Sequence, residues 1–422
     1  MPRSTPKIGL LGALVMLATS LLGSSVFVVP VLGVQLAGSL SLWSWLVLMV
    51  FMLPMALVFG RLGRAFPHAG GVSHWASRAF GERLEWVSAL LLVSVIPVGL
   101  PAALLLTMVF VNYAFALSGW ASLLAQFAVL GAVYGLNRAG VRASAQVQAL
   151  IIAGTLLFIA VLAWQAPVTL TSLTPQAPVA SDGSVIAGAA GLMLWCFLGL
   201  EIVANLAEDF RNPTRDIPLS VVGGVSLAGA VYYLCASTVL AAGFASVTPD
   251  ALLVLAADRL GPAGVYLLAL FGFLACFASV NTYLNGFSRQ IWSLAREDKL
   301  PAWFALRDAR GVPTAALNTV LVVCALSTLV FHMGWFDLSQ LIRLANSHFV
   351  LVYLIAMGSG VVLLRGAGRW VAVAGTLTCG AAFLALGWAA VYGAAVVALL
   401  LGFAAIRTRP VKQSPSGTRA GG

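Results

Sequence analysis

Long stretches without a single Asp, Glu, Lys or Arg constrain what this chain can fold into. They include Ile8–Gly60, Trp86–Asn137, Ala143–Ser181, Leu260–Ser288, Gly311–Phe336, Leu344–Leu364 and Trp370–Ile406. A helix that crosses a bilayer needs about 20 consecutive apolar residues. The longest stretches therefore hold two crossings each. Lipid offers no water to backbone groups, so a chain of this kind spans as helices. Composition agrees: 61% of the 422 residues are hydrophobic and 9% are charged, against about 25% charged in soluble domains. A soluble enzyme, a nucleic-acid-binding domain and a disordered chain are excluded.

The expected fold class is an all-α polytopic membrane protein with about twelve transmembrane helices. They are placed near 8–36, 41–61, 86–114, 119–137, 143–164, 184–207, 217–243, 261–288, 313–333, 338–364, 369–387 and 389–406. The first is read as a retained span, since a cleaved signal peptide has a shorter apolar core. Of the 23 Lys and Arg, only Arg259 and Arg343 fall in loops assigned to the outside. That asymmetry puts both termini in the cytoplasm and brings the basic loops to anionic lipid. Trp43, Trp45, Trp86, Trp120, Trp164, Trp335, Trp370 and Trp388 lie near span ends, where interfacial aromatic belts form. The five cysteines stand singly in apolar segments, without a CxxC or Cys/His cluster. No metal, cofactor or disulfide is expected.

Two spans carry the marks of a broken helix. The first reads TSLLGSSVFVVP, Thr19 to Pro30, with Gly23 flanked by Ser20, Ser24 and Ser25. The sixth reads LWCFLGLEIVANLAEDF, Leu194 to Phe210, with Gly199 and Glu201. Glycine lets the backbone leave the helix and proline removes a donor. Leu22-Gly23 and Leu198-Gly199 occupy matching places in two five-span halves. Paired interruptions of that kind point to a transporter site near the midplane. An α-amino acid fits it. Freed N–H groups at Gly23, Ser24 and Ser25 suit a carboxylate, and freed carbonyls near Leu21, Trp195 and Leu198 suit an ammonium. The competing reading is that the glycines serve close helix packing.

Glu201 is the one acidic residue deep in an expected span. Such a charge is costly there, which makes it a candidate proton carrier or gate; a helix-joining role is the alternative. Span three is expected to kink at Pro97 and Pro101. Span eight carries Asn281, Tyr283 and Asn285, which either line a cavity or join helices. Asn346 in span ten is a weaker signal of the same type. A membrane enzyme would need a catalytic set that a lone Glu201 does not supply. No Walker motif supports ATP-driven pumping, and a channel would want polar lining on several helices.

These motifs resemble the amino acid–polyamine–organocation superfamily along nearly the whole chain. The resemblance rests on LLGSSVFVVP; FPHAGGVSHWASRAFG, Phe66 to Gly81; WCFLGLE with EDFRNPTRDIPLS; and SRQIWSLAREDKLP, Ser288 to Pro301. SVIPVGLPAALL, WCFLGLE and LACFASVN look most like the bacterial L-methionine and branched-chain amino-acid exporter group. The resemblance implies a LeuT-like five-plus-five inverted-repeat core over 1–364, with repeats near 8–164 and 184–364. Two short helices and a tail would occupy 365–422. It implies export of neutral apolar amino acids across the inner membrane, with import or exchange on the same fold as the alternative; Glu201 makes protons the expected coupling ion. By position, Gly23, Ser24 and Ser25 would meet the carboxylate; Trp195, Leu198 and Glu201 would line the span-six side; Tyr283 would be the span-eight aromatic. Ser25 departs from the family pattern, which has glycine there. Span five lacks the lysine that some proton-coupled relatives place at the cation site.

Overall fold

The computed structural model describes residues 9–23, 25–66, 71–140, 145–199 and 210–407. All its elements are helices. Among the described residues, eleven continuous helical stretches, some joining neighbouring elements, are long and apolar enough to cross a membrane. The difference from twelve lies at span one. Its first half, Leu10–Leu22, ends at Gly23, and its second half, Val29–Ala37, runs through a 3-10 turn, Gly38–Leu40, into span two, Ser41–Ala65. Neither half alone reaches membrane length, so span one is one crossing made of two pieces.

Span three is Glu82–Val93 continued by Ile96–Phe115, with the helix interrupted just before Pro97. Spans four and five are Gly119–Arg138 and Ala145–Gln165. The first half of span six, Gly183–Met193, tightens into a 3-10 turn at Leu194–Phe197. Span seven is Pro213–Ala241. Span eight belongs to the long helix Ala251–Arg296, which breaks at Gly261, where φ is +66°. Spans nine to twelve are Thr314–His332, Leu338–Leu363, Ala367–Ala385 and Trp388–Arg407.

The packing sets both broken spans at the centre. Span seven lies between the first half of span one and span two, and the first half of span six packs on span two and on the second half of span one. Small residues permit the approach, as is usual where helices cannot rely on a hydrophobic drive. A Cβ on Gly224 would stand 2.9 Å from Leu17 Cβ. Spans three and eight pack together, with Gly272 accepting the Phe110 ring against its backbone.

The tryptophans divide. Trp120, Trp164, Trp335, Trp370 and Trp388 are exposed, as a belt requires. Trp45 is not a belt residue: it is fully buried and stacks on Tyr232, centroids 5.0 Å apart at 10°. Its closeness to the span end suggested an interface, but its face of span two points at span seven. Trp75 is also buried, on the short helix Val72–Phe80, and its Nε1 donates to the Phe66 carbonyl.

Candidate substrate site at the paired helix breaks

The break in span one begins at Gly23, with φ −44° and ψ −87°. Helical bonding restarts where the Ser25 carbonyl accepts from the Val28 and Val29 N–H groups, at 3.3 and 3.0 Å. The first N–H groups of a helix lack intrahelical partners. Those around Ser25 therefore open the second half of span one, a favourable place for an anion. Pro30, at the start of this half, gives up a donor that has little use there.

The break in span six follows the same logic with a different residue. Leu198 is extended, at φ −70° and ψ 140°, and Gly199 has φ +109°. A side chain at Gly199 would be strained there, and its Cβ would also collide with Ser20 Oγ. Ser20 Oγ in turn makes a long contact, 3.5 Å, with the Gly199 carbonyl. The two breaks thus face each other. The 3-10 turn Leu194–Phe197 touches the first half of span one directly.

Tyr232 of span seven joins them. Its phenol oxygen lies 2.5 Å from the Leu21 carbonyl, 3.3 Å from the Cys196 carbonyl and 2.8 Å from Ser25 Oγ. A phenol has one proton. The shorter carbonyl contact takes it, so the Ser25 hydroxyl donates to the phenol oxygen. Trp45 stacks on the Tyr232 ring and Phe197 meets it edge-on, with centroids 6.0 Å apart at 67°. Tyr232 is fully buried. No local pattern in the sequence marked it. The only hint was a pair of phenols, Tyr232 and Tyr233, in an otherwise apolar span.

The expected site residues fall into three sets. Leu21, Gly23, Ser25, Trp195, Leu198 and Gly199 are brought together, and apart from the two glycines all are buried. Ser24 and Glu201 lie outside the described residues. Asn281 and Tyr283 sit on span eight, whose main packing is against spans three and five. There the Asn281 Oδ1 accepts from Asn137 Nδ2 at 2.7 Å, which ties span eight to span four. Tyr283 stacks loosely on Phe287 of its own helix. Phe27, inside the span-one break, packs edge-on against Phe110 of span three. This brings an aromatic wall to the break from the span-three side.

Chemically, the junction offers backbone donors on one side, backbone carbonyls on the other and apolar or aromatic walls between. That set suits a small zwitterion with an uncharged side chain. Among the described residues there is no group of His, Cys, Asp and Glu that would hold a metal ion.

Comparison with known proteins is consistent with this architecture. The Amino acid permease family profile matches residues 8–415. The L-methionine/branched-chain amino acid exporter YjeH of Escherichia coli (strain K12) is 38% identical over 395 residues, covering 93% of this chain and 94% of YjeH. The uncharacterized amino acid permease YecA of Bacillus subtilis (strain 168) is 24% identical, covering 90% and 91%. The crystal structure of MhsT in complex with L-phenylalanine superposes with a TM-score of 0.65 at 15% identity, covering 89% of this chain and 98% of MhsT. The fold is therefore LeuT-like, and this chain is an amino acid transporter, not an enzyme. It belongs to the amino acid permease family of the amino acid–polyamine–organocation superfamily.

Proposed function

We propose that this chain exports neutral apolar L-amino acids, methionine, leucine, isoleucine and valine, across a bacterial inner membrane by alternating access. The observation that carries the reading is the meeting of the two helix breaks beneath Tyr232, with backbone donors and carbonyls but no charged side chain among the described residues there. The relative YjeH, an exporter of this substrate class by name, supports the direction. In this reading the substrate carboxylate meets the N–H groups opening the second half of span one, near Gly23, Ser24 and Ser25. The ammonium meets carbonyls of Leu21, Trp195 and Leu198, while Gly199 allows the close approach of span six. Asn281 and Tyr283 bound the span-eight side.

The working unit is a ten-helix core over 1–364, built from repeats at 8–164 and 184–364. The helices and tail of 365–422 are peripheral to it. Both termini face the cytoplasm, where the arginine-rich loops contact anionic lipid. Inward proton flow drives export, with Glu201 as the carrier, because a carboxyl in that span can exchange a proton as an ammonium enters and leaves.

Counterflow of labelled amino acids in proteoliposomes, with imposed pH, sodium and voltage gradients, tests this. Wild-type protein should exchange methionine and leucine and concentrate them under a pH gradient alone. Glu201→Gln keeps shape and hydrogen bonding without titration. It should retain exchange and lose gradient-driven accumulation. Undiminished accumulation by that variant rules out Glu201 as carrier.

A further inference from the structure

Span six loses its own hydrogen-bond ladder just before the site. In a continuous α-helix the Gly191 and Leu192 carbonyls would accept from the N–H groups four residues on. The tightening at Leu194–Phe197 ends that register, since 3-10 bonding reaches only three residues. One side chain from another span reaches both carbonyls, although the Leu192 carbonyl also keeps a contact with the Leu194 N–H of its own turn. Asn346 Nδ2 donates to the Gly191 carbonyl at 2.8 Å and to the Leu192 carbonyl at 3.0 Å. A carboxamide has two N–H donors, and both are used. Two carbonyl partners also fix which end of the amide carries hydrogen.

Asn346 is fully buried, and its Oδ1 is buried with no partner. A residue kept only for packing would not carry that cost, since leucine fills a similar volume without a polar group. The same 3-10 turn packs on spans one and ten. The end of span six's first half is therefore tied to span ten in addition to the backbone bonds of its own turn.

We propose that Asn346 is a positioning residue for transport: it ties the unwound end of span six to span ten, so that the Trp195–Leu198 wall and span ten move as one body. The consequence for substrate rests on the reading that the paired breaks bind it; the tie itself does not. Cys196 reports on this segment. It lies in the 3-10 turn, is fully buried, and is a free thiol.

The test uses the full chain in lipid nanodiscs, with Cys235, Cys276, Cys324 and Cys379 replaced by alanine. N-ethylmaleimide labelling of Cys196 is followed by mass spectrometry, without substrate and then with L-leucine. Asn346→Leu keeps volume and removes both donors; Asn346→Ser is too short to reach either carbonyl; Asn346→Asp, neutral at so buried a place, keeps shape and one O–H donor. Losing the tie should raise labelling about tenfold in the Leu and Ser variants, with Asp between, because local opening rises with each lost bond. Leucine counterflow should show KM raised about fivefold or more at equal membrane levels. Wild-type labelling rate and KM in Asn346→Leu overturn the proposal. If that variant does not reach the membrane, wild-type labelling and KM in Asn346→Ser overturn it equally. Failure of L-leucine to slow labelling of the wild-type thiol counts instead against the substrate site. In that case the labelling rates without substrate alone decide the role of Asn346.

Discussion

A single phenol decides how the two breaks are held. Tyr232 gives its proton to the Leu21 carbonyl and takes one from Ser25. In this conformation the Ser25 hydroxyl is thus committed to Tyr232, so in the proposed pose a substrate carboxylate would rely first on backbone N–H groups. Removing the phenol oxygen leaves buried groups short of a partner. That costs about 1–3 kcal/mol in soluble interiors but averages about 0.6 kcal/mol per bond between membrane helices. The smaller figure applies here, so Tyr232→Phe should insert and fold. The defect should appear in function: we expect counterflow to fall about tenfold, one such factor being about 1.4 kcal/mol in the transport barrier. Counterflow with expression measured in parallel checks this; wild-type counterflow contradicts it. Gly199→Ala is harsher. Positive φ strain costs about 1–3 kcal/mol, and the new methyl also meets Ser20. Leucine binding by equilibrium dialysis should weaken by about tenfold or more, while Gly188→Ala in the same span, which has open space around it, should bind as wild type does.

Among the elements, spans one and six were legible because their chemistry is local. Gly23 with its serines and Pro30, and Gly199 three residues after Cys196, mark where a helix gives way whatever packs around it. Tyr232 and Asn346 were not legible as clamps, because each acts on a carbonyl from a distant segment. Trp45 was misplaced for the same reason: closeness to a span end does not tell which face a ring occupies. The loop after span eight is a further element with a job. Lys299 Nζ lies 2.6 Å from both Glu85 and Glu297, and Trp292 lies between Arg296 and Arg307. Partial burial works against the Lys299 charge, but its hydrogen bonds to Glu297 and Glu85 outweigh this and hold its pKa above the ordinary 10.5. A raised lysine pKa means stabilisation that is complete below 10.5 and lost only as pH rises beyond it. Lys299→Met should therefore change leucine exchange by a constant factor between about pH 6 and 9. Parallel pH profiles for mutant and wild type are expected; profiles that converge within that window contradict the assignment.

At the scale of the whole molecule, the charge-free runs fixed the class of the chain before any motif was read. The two breaks then distinguished a transporter from a mere bundle. Transport direction is a different matter. An alternating-access cycle runs either way over one set of contacts, so the proposal of export rests on the proposed coupling and on the similarity to YjeH. The most direct measurement is retention of methionine in cells loaded through a methionine dipeptide, with and without the protein. The account predicts that expressing cells lose intracellular methionine faster and hold less at steady state, and that the Gly199→Ala variant abolishes the difference. Slower loss, or greater accumulation of methionine from the medium, would contradict export and assign the same site to uptake.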